Sequence, residues 1–179
     1  MCAYRMITQI RNMTLNEDST TRVLSIYPTV RGFGFSVFEG AQNPIDWGAN
    51  TVKIKKNKAC LEKMERLIDF YSPDVVITEN CKSPGSRRCE RITSLSKNIE
   101  DLCSKKNQKL IKYSRKAVSD AFDTFGVSTK HEIARKISVW LPSLAPYLPP
   151  PRKPWMSEDY RMAIFDAIAL AMTYFYSEE

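Results

Sequence analysis

Histidine is nearly absent from this 179-residue chain, which carries one, His131. Histidine-based acid–base catalysis would rest on that side chain alone, and its charged neighbours Lys130 and Glu132 mark a solvated helix position rather than a general base. The five cysteines, Cys2, Cys60, Cys81, Cys89 and Cys103, are scattered and form no C-x-x-C pair. With a single histidine they make no zinc pattern. Reduced thiols in a cytoplasmic protein are the simplest account. No apolar run approaches the roughly 18 residues of a membrane span, and no internal repeat is present. The start of the chain lacks the apolar stretch of a secretory signal. Residues 1–21 are therefore expected to form a polar arm, with room for a short helix over 4–13, ahead of one domain over 22–179.

What is present is positive charge. Lysine and arginine total 27 against 20 acidic residues, a formal charge of +7, with a pI near 9.2. The clustering matters more than the total. Lys82, Arg87, Arg88 and Arg91 form one group, and Lys105, Lys106, Lys109 and Lys112 a second, with Arg115 and Lys116 just beyond. Arg152 and Lys153 make a third. Charge runs are more often solvated faces than binding sites. Three in one small domain nevertheless point to a polyanion partner.

The chain alternates strand and helix patterns. Val23-Leu24-Ser25-Ile26-Tyr27 and Gly34-Phe35-Ser36-Val37-Phe38 read as a hairpin around Pro28-Thr29-Val30-Arg31-Gly32, with a third strand over 46–53. Leu61, Met64, Leu67 and Ile68 share one face of a helix over 58–71. Asp74-Val75-Val76-Ile77-Thr78-Glu79 then reads as a buried parallel strand. A helix over 91–105, a strand over 109–113, a helix from Ser114 to about Phe122 and another over 130–140 capped by Ser128 or Thr129 follow. The proline-rich stretch 142–154 is expected to be extended. The result is an α/β fold with a mixed sheet of about five strands, in the order βββαβαβα, flanked by helices.

The last helix carries an anomaly. Ser157 is a suitable N-cap, and Met162, Phe165, Ala169 and Met172 recur at helical spacing. Asp166 falls among Ile164, Phe165, Ile168 and Leu170. A carboxylate there costs several kcal/mol unless it is paired or bound to a metal. It is either the partner of a basic side chain or a metal ligand.

Four segments resemble the RuvC-type Holliday-junction resolvases, of the ribonuclease H-like superfamily. They are VLSIYPTVRGFGFSVFEG, PDVVITEN, the stretch from Tyr113-Ser114-Arg115-Lys116-Ala117-Val118 to Gly126 and Thr129-Lys130-His131-Glu132, and MAIFDAIALAMTYF. Their shared order covers roughly 23–175. The resemblance implies a ribonuclease H-like fold and a structure-selective endonuclease that cleaves branched DNA, using Mg²⁺ or Mn²⁺ held by acidic side chains. It puts Glu79 at the fourth-strand position, Asp166 at the last-helix position and Lys130 at a catalytic lysine position. It also implies a homodimer, matching the paired strands of a four-way junction.

The departures are equally specific. Where the family carries an aspartate directly before proline, this chain has Tyr27, neutral at pH 7 and unable to bridge two cations. Ala163 stands where a second helix carboxylate is expected, so Asp159, seven residues before Asp166, becomes the third candidate metal ligand, with Glu158 as its neighbouring alternative. Ser119 replaces a basic side chain. Glu79 is either a metal ligand or the ion-pair partner of Arg87 or Arg88. Arg31 is either a turn residue or a phosphate contact. The other nucleic-acid candidates are Lys82, Arg87, Arg88 and Arg91, then Arg115, Lys116, Arg152 and Lys153. Trp47 and Trp140 read as core, and Trp155 as the better base-stacking candidate. Two functions remain open: an active nuclease, or a catalytically degenerate relative that binds nucleic acid or protein. An actin-like ATPase is set aside, because the 28–32 turn lacks an acidic residue and a glycine-rich phosphate loop.

Overall fold

Alternation within the first strand determines how the layers assemble. In β1 (Arg22–Thr29) the six central residues are all buried, so both faces must be covered. Leu24 and Ile26 join one apolar cluster, and Val23 and Tyr27 join the other. The computed structural model describes residues 21–53, 56–84 and 88–177. Arg87, the possible helix over 4–13 and nearly all of the expected arm lie outside the described residues.

Strand β1 pairs antiparallel with β2 (Gly32–Glu39), which pairs antiparallel with β3 (Pro44–Thr51). On its other side β1 pairs parallel with β4 (Val75–Glu79), and β4 with β5 (Lys109–Tyr113). The five strands run β3-β2-β1-β4-β5. This is the expected mixed sheet.

Helices α1 (Lys56–Tyr71) and α2 (Glu90–Lys105) cover one face, with Cys60, Met64 and Ile68 of α1 and Leu95, Ile99 and Cys103 of α2 packed against Phe33, Phe35 and Val37. The other face receives α3 (Arg115–Asp123), α4 (Lys130–Trp140) and α5 (Met162–Ser177). Ser114 caps α3, its side chain accepting from the Ala117 amide. Thr129 caps α4 in a reciprocal capping box with Glu132. Trp47 and Trp140 pack against the core, as expected.

Helix α5 approaches the sheet closely because small residues meet there. Ala163, Ala167 and Ala171, spaced one turn apart, are buried. Gly34 lies against the Ala163 backbone. The Ser25 hydroxyl donates to the Ala167 carbonyl at 2.7 Å and lies 2.6 Å from the Ser36 hydroxyl. Both buried hydroxyls thus have partners.

Four local expectations are corrected. Ser157 does not cap the last helix, which starts at Met162. Asp159 instead accepts from the Arg161 amide at 2.9 Å, and backbone bonds from the 162, 163 and 164 amides to the 159, 160 and 161 carbonyls form the turn that leads into the helix. Residues Pro142–Tyr147 form a 3₁₀ helix rather than an extended segment, because Leu144 is drawn completely into the core. The third strand is Pro44–Thr51 rather than 46–53, displaced toward an irregularity opposite Val37 and Phe38. His131 is not merely solvated: its ring Nε2 lies 3.0 Å from the Pro149 carbonyl and ties the proline-rich segment to α4.

Candidate functional site

Three parallel strands, β1, β4 and β5, end at the same sheet edge, the place where ligands commonly bind in α/β folds. Ile26 pairs with Thr78, so Tyr27 and Glu79 follow side by side, and Glu79 pairs with Tyr113. Asp166 reaches this edge from α5 and Lys130 from the first turn of α4. Tyr27, Glu79, Asp166 and Lys130 line one cleft together with Tyr113, Arg115, Ser119 and Ser128. The first-strand, fourth-strand, lysine and last-helix positions therefore converge. Tyr113 and Ser128 were not site candidates from sequence, and Ser119 was noted only as replacing a basic side chain. Tyr113 is foreshadowed only by its place at the end of the strand beside Glu79.

The cleft is closed by its own charges. Arg88 Nη2 donates to both the Tyr27 hydroxyl and Glu79 Oε2. Lys130 Nζ lies 2.8 Å from Asp166 Oδ2 and 3.1 Å from Glu158 Oε1. Both cations also flank the Tyr27 ring, Arg88 Cζ at 4.9 Å and Lys130 Nζ at 5.1 Å from its centroid, within cation–π range. The phenol sits between them like a neutral spacer. Burial, reinforced by the Asp166 charge, pushes the Tyr27 hydroxyl up to about 12, so it stays protonated at neutral pH. Burial works against the charges on Arg88 and Lys130, but the oxygens of Tyr27 and Glu79 around Arg88 and the Asp166 carboxylate beside Lys130 outweigh it, and both are held above their ordinary ranges.

Asp166 behaves differently. Its side chain is 12 % exposed, and burial pushes its carboxyl up to about 6 against the pull of Lys130. The folded state therefore retains a proton that the unfolded chain releases near pH 4. Between about pH 4 and 6 this group's contribution to stability falls as pH rises, because the folded state binds more protons there. Melting temperatures measured across that window for the native chain and Asp166→Asn should differ by a term that shrinks toward low pH. Parallel curves would refute this role for Asp166.

A pair of Mg²⁺ or Mn²⁺ ions requires carboxylate oxygens that are open and several in number. Here one oxygen of Glu79 and one of Asp166 each carry an internal cation, and the position between them is a neutral hydroxyl. Among the described residues, no group of three or more His, Cys, Asp or Glu side chains is placed to hold a metal. The donor set does not fit the two-metal arrangement. Asp159 does not remedy this: both of its oxygens engage Arg161, at 3.0 and 2.7 Å, and it does not line the cleft. Cys60, Cys81 and Cys103 offer no alternative, since burial pushes their thiols up, away from the reactive thiolate.

The basic candidates divide by location. Arg31 lies in the turn after β1, Lys82 three residues beyond β4 and Arg115 at the start of α3, so all three are at the carboxyl edge and exposed. Arg152 and Lys153 are exposed on the loop before α5. Lys116 is exposed but paired with Asp120 at 2.5 Å. Arg91 departs from the expectation of a nucleic-acid contact: it is partly buried, donating to the Thr29 carbonyl and, at 2.9 Å, to Asn57. Arg88 is likewise held by Tyr27 and Glu79. The Lys105–Lys112 group also loses its expected unity, because Lys106 is paired with Glu65 and Asp69 and Lys112 with Glu100.

No family model and no curated protein matches the chain. Solved structures do. Thermus thermophilus RuvC aligns at a TM-score of 0.61 and 16 % identity, over 88 % of this chain and 96 % of that one. The T. thermophilus RuvC in complex with Holliday junction substrate aligns at 0.60 and 15 %, over 88 % and 95 %. The yeast mitochondrial Holliday junction resolvase Ydc2 aligns at 0.61 and 13 %, over 94 % and 84 %. The chain thus has the ribonuclease H-like fold in its RuvC-type form, with a neutral tyrosine between its two inner carboxylates.

Proposed function

We propose that this protein binds branched or structured DNA at the carboxyl edge of its sheet, and that divalent-metal cleavage there is weak or absent. The observation that carries the reading is the Arg88 guanidinium shared between Tyr27 and Glu79. Together with the Lys130–Asp166 pair, it matches two buried carboxylates with two cations and leaves little net attraction for a divalent ion. Arg31, Lys82, Arg115, Arg152 and Lys153 stay exposed, available to phosphates. One of the similar structures holds a Holliday junction substrate, which supports the choice of branched DNA. A homodimer belongs to the same proposal, since a four-way junction presents its strands in symmetric pairs.

Binding through about five phosphate contacts should weaken on the order of 10²- to 10³-fold between 50 and 200 mM salt, because released counterions drive association. Fluorescence anisotropy with a labelled four-way junction and a plain duplex at several salt concentrations measures this. No binding to either DNA at low salt would overturn the proposal and leave a protein partner as the ligand of this surface.

A second reading, a Mg²⁺-dependent junction endonuclease, is favoured by the convergence of Tyr27, Glu79, Lys130 and Asp166 in one cleft. Isothermal calorimetry separates the two. Mg²⁺ uptake lost in both Glu79→Gln and Asp166→Asn would establish the second reading.

A further inference from the structure

The largest exposed aromatic side chain in the described part of the molecule has no place in the cleft. Trp155 is 78 % exposed, and on the same loop Tyr160 is 54 % and Met156 47 % exposed. A tryptophan left in water forgoes the burial that ordinarily stabilises it. The loop is nevertheless anchored at both flanks. His131 holds the Pro149 carbonyl on one side, and on the other Lys130 holds Glu158 at 3.1 Å while Asp159 engages Arg161. Arg31, from the β1–β2 turn, approaches Ser157 at 3.5 Å. The loop therefore stands beside the carboxyl edge, with Trp155 at its tip.

Its electrostatics favour a polyanion. The two nearby acids, Glu158 and Asp159, are each engaged by an internal cation. Among the described residues, Arg152 and Lys153 have no ion-pair partner. Lys153 Nζ lies 5.5 Å from the Trp155 ring centroid. An exposed indole face flanked by unpaired cations is the chemistry that single-stranded nucleic acid recognises, the cations tracking phosphates while a base stacks on the ring. Inside a paired duplex each base face is covered by its stacked neighbours.

We propose that Trp155 is a stacking platform for an unpaired nucleobase, so that the loop over 150–161 recognises DNA where its strands separate. This rests on the DNA-binding reading above and refines it. Phosphate contacts at the sheet edge supply affinity for any DNA, and Trp155 supplies preference for unpaired bases. Arg152 and Lys153 hold the backbone beside it.

The test compares the native chain with Trp155→Ala and Trp155→Phe on three labelled DNAs: an open four-way junction, a single strand and a blunt duplex. Trp155→Ala should weaken the junction and the single strand about 10-fold, and the duplex less than about twofold, with an unchanged salt slope. Trp155→Phe, which keeps a ring, should recover most of the loss. Trp155 is exposed, so these variants are expected to fold, and matching circular dichroism spectra check that. Equal losses on junction and duplex, or no loss on any DNA, would overturn the stacking role while leaving DNA binding intact. Failure of the native chain to bind all three DNAs would overturn both.

Discussion

Tyr27→Asp is expected to bind Mg²⁺ more tightly than the native chain and to cleave four-way junctions, with the cleavage rate rising by orders of magnitude. The argument starts from the donor set. Tyr27 lies beside Glu79 at the sheet edge and shares the cleft with Asp166. A carboxylate at position 27 adds one negative charge at the point between the other two. It also replaces a group that burial keeps protonated up to about 12. A two-metal clamp contributes several kcal/mol of transition-state stabilisation, and each 1.36 kcal/mol is about tenfold in rate. Arg88 would oppose the gain, because its guanidinium already holds Glu79 and would hold the new carboxylate too. The combination Tyr27→Asp with Arg88→Gln should therefore bind Mg²⁺ more tightly than Tyr27→Asp alone, and Asp166→Asn in either background should remove the activity. Calorimetry and a junction-cleavage gel read both quantities. Efficient cutting by the native chain that survives Glu79→Gln would place the chemistry elsewhere.

Gly34→Ala should destabilise the fold by about 3 kcal/mol or more, at the upper end of what overpacking a core costs. A Cβ at position 34 would stand 2.0 Å from the Ala163 carbonyl oxygen, 2.3 Å from its carbon and 2.8 Å from the Ala163 Cβ. None of these atoms is the end of a flexible side chain. Relief would require α5 to lift from β2, straining the 2.7 Å bond between the Ser25 hydroxyl and the Ala167 carbonyl. Gly126 is the control. It adopts φ +71°, yet an added Cβ there meets nothing within 4 Å, so Gly126→Ala should cost only about 1–2 kcal/mol of backbone strain. Urea denaturation midpoints of the two variants decide the matter. Similar losses would show that α5 can yield at Gly34.

Much of the site was legible because its parts are local. The PDVVITEN strand announced a buried Glu79 at its end, and an aspartate amid Ile164, Phe165 and Ile168 announced a carboxylate needing a partner. Both alternatives posed for Glu79 were testable in space, and Arg88 turned out to hold it. Asp166 likewise has Lys130, 36 positions earlier in the chain. Neither pairing follows from spacing. Arg87 and Arg88 were equivalent on sequence, and Arg91, four residues from Arg87, looked as available for DNA as either. Its donation to the Thr29 carbonyl depends on how α2 packs over the hairpin.

The same division runs through the rest of the molecule. Sequence alone determined the order of the strands, the apolar helix faces, the helix opening at Ser114, a choice between Ser128 and Thr129 as the next cap, and a neutral residue at position 27. Each of these depends on neighbours within a turn or on the two-residue alternation of a strand. Only the tertiary structure decided which cations close the cleft, that Thr129 rather than Ser128 caps α4, and that Lys106 and Arg91 serve internal partners. Those pairings depend on which long side chains meet across packed elements. A charge is favourable or costly according to the burial and partners it finds there, and neither is written in local pattern.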